Sequence, residues 1–244
     1  QLWRMFEDQI GGMAYLPLSS TQRFELGVSL SNYYYRIDNY NDYYDYSGYY
    51  LGTKKEKGNA PSGFVMQRNN LAYVFDNSDF GIASPMRGMR IRIEADKTLG
   101  DYNYQGGLVD LRKYFFIKPI SIAMRGMYYG RFGLTADSSA IYPLYIGYPW
   151  YIRGYDSNVF YDERNTGLVN INQLMGDQMA VVNFEIRIPF TGPERLTLIK
   201  SKAFYTELAI FTDAGIAWTS KNGPKLKWKP DTVNDHIPFV STGV

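Results

Sequence analysis

Met89-Arg90-Ile91-Arg92-Ile93-Glu94-Ala95-Asp96 is the stretch on which the fold turns. Met89, Ile91, Ile93 and Ala95 alternate with Arg90, Arg92, Glu94 and Asp96. A period of two puts the first set on one face of a β-strand and the second on the other. One face is apolar and the other fully charged, so the strand separates two very different surroundings.

The same rhythm recurs along the chain. Phe24, Leu26, Val28 and Leu30 alternate with Arg23, Glu25, Gly27 and Ser29. Ala180, Val182, Phe184, Ile186 and Ile188 alternate with Val181, Asn183, Glu185 and Arg187. Phe204, Leu208, Ile210 and Ile216 oppose Tyr205, Glu207, Phe211 and Asp213. Weaker alternation marks residues 4–16, 63–76, 104–117 and 120–132. About eight strands of roughly 10 to 16 residues result, longer than the five or six usual in sandwiches. Crossing a bilayer takes about 9–11 strand residues. Strand length therefore supports a membrane barrel independently of the alternation.

The connections alternate in length. Short ones fall at 17–21, 118–119 and about 191–193, and long ones at 36–62, 133–178 and 219–238. The 77–87 connection is intermediate, and 98–103 is short where a long one is expected. Short turns at one end and long loops at the other are the layout of outer-membrane barrels. The expected fold is all-β: residues 1–244 as part of one transmembrane antiparallel barrel, eight strands plus a stub at 239–244. The stub reads as a strand cut off. Since a barrel must close its edges, strands are expected beyond both ends.

Composition agrees. The 244 residues include 23 Tyr, 14 Phe and 4 Trp, the residues that form barrel girdles. The average residue is polar, as a chain with a wet lumen face should be. No apolar run is long enough for a membrane helix. Lys+Arg total 26 against 24 Asp+Glu, a balance that argues against a nucleic-acid binder. With no Cys there is neither a disulfide framework nor a thiolate metal site. Gln1 is not an initiator Met, and no secretory signal is visible at the start. Residues 32–50, dense in Tyr, Asn and Asp, read as girdle running into a polar loop. Lys54, Lys55 and Lys57 read as a solvated loop tip.

No catalytic set emerges. His236, the single histidine, lies in a polar loop and reads as plain surface. Asp42 and Asp45 carry little weight as a carboxylate pair. No cofactor, metal or enzymatic activity is expected.

The informative constellation is structural. The longest loop holds Tyr151-Ile152-Arg153-Gly154-Tyr155-Asp156, preceded by Gly147-Tyr148-Pro149-Trp150. So aromatic a loop favours burial, and the barrel lumen is the enclosed space within reach. Arg153 would then need carboxylates, because an unpaired buried guanidinium is costly. Alternation turns Glu185 inward on one following strand, and Phe211, Asp213 and Gly215 inward on the next. Gly154 suits a tight turn at the tip, and Gly215 leaves room against the wall. Arg90, Arg92, Arg125 and Arg131 are expected to line the lumen with Asp110 and Glu94.

These residues resemble a known family. Ile152-Arg153-Gly154-Tyr155 looks like the V/I-R-G-F/Y loop motif of the BamA/TamA-like outer-membrane assembly-factor superfamily, also called the bacterial surface antigen family. Phe211-Thr212-Asp213-Ala214-Gly215 resembles its F-x-D-x-G strand motif, with Trp218 following at a similar distance. Glu185 resembles its acidic position on the strand between. Pro85-Met86-Arg87-Gly88 and Asp110-Leu111-Arg112-Lys113-Tyr114 are weaker likenesses, and all five stand in the family's order. The resemblance implies the later part of a sixteen-stranded barrel in a bacterial outer membrane, long loops facing the cell exterior. It implies insertion, assembly or translocation of outer-membrane proteins, by a client strand adding to an opened seam. Partners would be outer-membrane lipid, client proteins and other complex subunits. A receptor, a passive channel and a family-derived structural subunit stay open as alternatives.

Overall fold

The computed structural model describes residues 1–81, 84–138, 141–155 and 170–244. In chain order the strands are β1 Leu2–Pro17, β2 Gln22–Tyr44, β3 Tyr50–Gly58, β4 Phe64–Asp76, β5 Asp79–Phe80, β6 Pro85–Gly100 and β7 Tyr104–Ile117. Then come β8 Ile120–Phe132, β9 Leu144–Tyr145, β10 Met175–Gly176, β11 Gln178–Gly192, β12 Ile199–Lys200, β13 Thr206–Trp218 and β14 Phe239–Gly243. Among the described residues the one helical element is a 3-10 turn at Ile171–Leu174, and no helix is long and apolar enough to cross a membrane.

The long strands form one sheet in the order β1-β2-β4-β6-β7-β8-β11-β13-β14, each antiparallel to its neighbours. Such a meander arises because each strand returns beside the one before it. The chain is therefore all-β. The sheet is open among the described residues, with β1 paired only to β2 and β14 only to β13. Met5, Ser29, Phe64, Thr98, Tyr104 and Arg131, on six strands from β1 to β8, line one hollow, so their face is concave.

Polarity is inverted relative to a water-soluble protein. On the convex face Leu26 is 52% and Val182 60% exposed, whereas inward-facing Glu25 is 6% exposed. Inward charges are paired, as burial demands. Arg92 bridges Glu25 and Glu94, each at 2.7 Å. Asp110 takes Arg112 and Arg125, each at 2.8 Å. Arg131 donates from Nη1 to Tyr142 O at 2.8 Å, and its guanidinium lies 5.8 Å from the Tyr104 ring centroid. Arg90 also faces inward, 3.7 Å from Asp76.

Three loop expectations change. Residues 32–44 are strand, not loop: β2 runs on to Tyr44 and pairs with β3 as a long hairpin. Tyrosine suits pleated, half-exposed surface, so a Tyr-rich run extends a strand readily. Lys54, Lys55 and Lys57 consequently lie on β3, with Lys54 paired to Glu56 and Lys55 to Asp38. The third change is at the other end of the sheet, where 193–205, carrying β12, separates β11 from β13 and is longer than expected. Within 77–84, β5 pairs back on β6.

His236 is also not plain surface. It is buried and forms a parallel bridge with Pro224, while Lys225 N donates to His236 O at 2.8 Å. Beside it, buried Asp235 accepts from Lys225 Nζ at 2.6 Å and Thr232 Oγ1 at 2.7 Å. The Lys225 hydrogen bond, then that of Thr232, holds the Asp235 carboxyl well below the usual carboxylate range. A polar loop thus folds on itself around one carboxylate.

Candidate functional site

The loop after β8 turns back onto the concave face. Its two described arms meet as a small sheet, β9 against β10, and Ile146 N donates to Leu174 O at 3.0 Å. Asn170 and Gln173 close a capping box on the turn at Ile171–Leu174. This reciprocal pairing satisfies donors that the short turn leaves open. Near the tip, Tyr151 N and Ile152 N both donate to Tyr148 O, forming a tight turn. Tyr148 stacks on Trp150 at 4.5 Å.

Below this tip lies the main apolar cluster. Ile146, Ile152 and Leu174 are fully buried against Met127, Val181 and Phe239. The core of the protein is therefore the space between loop and wall, not a space between two sheets. Ile152 fits there because residue 215 lacks a side chain: a Cβ on Gly215 would stand 2.6 Å from Ile152 Cδ1.

Arg153 follows Ile152 and makes the polar half of the contact. Its Nε donates to Asp213 Oδ2 and its Nη2 to Asp213 Oδ1, each at 2.7 Å. Its backbone N also donates to Asp213 Oδ2, at 3.2 Å. Nη1 lies 2.8 Å from Glu185 Oε1. The guanidinium sits 3.5 Å from the Phe211 ring centroid, a cation–π contact. A forked, charge-assisted pair of this kind is among the strongest and most directional a protein makes. Asp213 is fully buried, so its charge depends on these donors.

Gly154 and Tyr155 carry the loop onward to β14. Gly154 has φ +85, a left-handed conformation that glycine adopts without strain. Tyr155 OH donates to Val240 O at 2.7 Å, and its ring packs edge-on against Phe239 at 5.3 Å. Asp156 lies outside the described residues. Ile152, Arg153, Gly154 and Tyr155 thus meet Glu185, Phe211, Asp213 and Gly215 across β11 and β13, with β14 added. The inserted tip is held by a bidentate ion pair over an apolar plug.

A family profile described as the Omp85 superfamily domain matches residues 9–243. The chain belongs to the Omp85 superfamily. That membership supports the BamA/TamA-like likeness, the association with the bacterial outer membrane and, coarsely, a family of outer-membrane protein assembly and translocation. No curated protein matches the chain.

Several partners in this Omp85 chain lie outside the quoted motifs. Asn183 Nδ2 donates to Asp213 Oδ1 at 2.8 Å and to Tyr151 O at 2.7 Å, tying loop backbone to lock carboxylate. Its inward phase, two residues before Glu185, was a readable signal. Arg125 donates from Nη1 to Trp150 O at 2.7 Å while its other nitrogens hold Asp110. Arg187 approaches Glu185 Oε2 at 2.5 Å and also donates to Pro85 O at 3.3 Å. No sequence spacing announces those long-range carbonyl contacts. Among the described residues no group of three His, Cys, Asp or Glu could hold a metal.

Proposed function

We propose that this protein is an outer-membrane β-barrel acting in the insertion, assembly or translocation of outer-membrane proteins. Arg153 would keep the 133–177 loop seated inside the barrel. The observation that carries the reading is the Arg153–Asp213–Glu185 contact in an Omp85 chain. The convex apolar face would meet lipid and the charged concave face would meet water. A bare sheet edge in hydrocarbon would need a partner, so in this reading the outer edges of β1 and β14 would each pair with another strand. Sixteen strands is the number the resemblance implies. The long connections would face the cell exterior.

The work envisaged is mechanical, with no catalytic group and no cofactor. A client strand would add to an opened seam edge through main-chain hydrogen bonds. The seated loop would brace β11 and β13 while that happens. Depleting the protein tests this: other barrel proteins should fall in the outer-membrane proteome. An unchanged proteome would sink the assembly reading.

One observation favours a second reading, a structural subunit of an outer-membrane complex. The β2–β3 hairpin carries exposed Tyr43, Tyr44, Tyr46, Tyr49 and Tyr50. Exposed and aromatic, it suits a protein partner. Deleting residues 43–51 should then release a co-purifying subunit and leave the barrel proteome intact.

A further inference from the structure

On the convex face, where β1, β2 and β3 meet, four cations gather around one acid. Asp38 is fully buried. Arg4 Nη1 lies 3.0 Å from it, Arg36 Nε 3.0 Å and Lys55 Nζ 3.2 Å. Lys57 stands directly opposite Asp38 in the β2–β3 register, so it shares that face. Like charges placed directly opposite are unfavourable, yet Arg4 and Arg36 are direct register partners. One carboxylate offsets only part of this repulsion.

Other acids nearby do not supply the balance. Glu56 pairs with Lys54 and faces the concave side. Asp42 lies further out along the hairpin and accepts from Thr53 Oγ1. Asp8 is on the same face, one outward-facing position beyond Phe6 towards the apolar wall.

The strand geometry sets the height of the cluster. From Phe24 to Tyr34 the outward face of β2 advances about ten residues, roughly 33 Å along the strand. Tilted about 40°, that is roughly 25 Å, the height of a barrel's apolar band. Aromatic pairs mark both ends: Phe24 with Tyr73 at 5.5 Å, and Phe6 stacked on Tyr34 at 5.2 Å. Arg36 and Asp38 are the next outward positions, at headgroup level. A cleft there is lined by Phe6, Tyr34, Tyr35, Arg36, Lys57 and Gly58. Arg36 gives Nε to Asp38 and keeps 42% of its side chain exposed.

The geometry points to a phosphate-binding site for an anionic lipid headgroup in the leaflet at the long-loop end, at Arg36 and Lys57 above the Phe6–Tyr34 pair. It rests on the membrane placement proposed above. Arg36 Nη groups and Lys57 Nζ would donate to phosphate oxygens, and the lipid body would lie along the two stacked rings. Cation excess, an amphipathic cleft and headgroup height coincide at this spot on the wall.

The test uses the full-length protein in detergent, titrated with dioleoyl phosphatidic acid, dioleoyl phosphatidylcholine or inorganic phosphate, with bound lipid counted by native mass spectrometry. Phosphatidic acid should bind at least tenfold more tightly than phosphatidylcholine. Arg36→Gln with Lys57→Gln should abolish that preference. Arg36→Lys with Lys57→Arg should keep it, which separates lost charge from lost fold. Lys113→Gln, on the same face near the other end, should change nothing. Equal binding of the two lipids, an unaffected double Gln variant, or full competition by equimolar inorganic phosphate would overturn the proposal. A Lys57→Cys variant labelled on intact cells by an impermeant maleimide tests the placement separately, since the chain has no other cysteine.

Discussion

Ile152 occupies the space that a side chain on residue 215 would need, with its Cδ1 only 2.6 Å from where a Gly215 Cβ would stand. The loop can seat Arg153 on Asp213 only because β13 is bare at that point. Steric fit and ion pairing are therefore two halves of one contact. Gly215→Val should push Ile152 out of its place at a cost of about 1–3 kcal/mol, the usual range for overpacking. The loop should become protease-sensitive in the folded protein. Unchanged digestion would show that the plug does not hold it.

Arg153→Ala removes every side-chain donor that the loop offers Asp213 and Glu185. Breaking a buried pair strands a charge at about 3–5 kcal/mol. Arg153 keeps 29% of its side chain exposed, so roughly 2–4 kcal/mol is the expected loss. Arg153→Lys should recover little, because an ammonium cannot make the fork. Thermal unfolding in detergent and complementation of a depleted strain measure both effects. Equal behaviour of the Lys variant and wild type would rule out the forked geometry as the source of strength.

Asp213→Asn keeps the shape but places an amide NH2 where Arg153 and Asn183 both donate. It should cost nearly as much as Arg153→Ala, and the double variant little more than either single change, because both remove the same pair. Additive losses in a double-mutant cycle would mean that Asp213 acts through some other partner.

The Asp235 contacts that close the 219–238 loop should be insensitive to mild acid. The Asp235 carboxyl is held below its ordinary range by Lys225 and Thr232. A depressed folded value contributes stability that is present above the unfolded pKa, about 3.9. That stability declines only once pH falls below the unfolded value, and is gone below the lower folded value. In a His236→Gln variant, which removes the loop's histidine, protease cleavage should thus be constant between pH 5 and 8, whereas Asp235→Asn should open the loop at pH 7. Cleavage rising from pH 8 to pH 5 in the His236→Gln variant would contradict this.

Cysteine substitution maps the faces, as the chain has none. Ser29→Cys on the concave side should react with a water-soluble maleimide in bilayers, and Val28→Cys on the convex side should not. Equal labelling would remove the membrane assignment.

Much of this was legible because strands obey a two-residue period. The phase of Glu185, Phe211, Asp213 and Gly215 follows from their neighbours alone, and all four face the loop. What alternation cannot see is contact between main-chain carbonyls and distant side chains. Arg125 on Trp150 O and Tyr155 on Val240 O belong to that class. Nor does it tell strand from polar loop where tyrosine and asparagine mix, which is why residues 32–44 read as loop and fold as β2. His236 read as surface because its polar neighbours bury it by closing around Asp235, not by packing it in an apolar core.

Glu185 is shared between the loop and the opposite mouth of the wall. One oxygen meets Arg153, the other meets Arg187, and Arg187 reaches Pro85 O at the short-connection end. Withdrawing the tip leaves Arg187 as the principal partner for that acid, and disturbing the start of β6 alters how firmly Glu185 can serve the tip. Loss of the tip should therefore loosen the contact at the start of β6 as well, since one carboxylate joins the two ends of the wall.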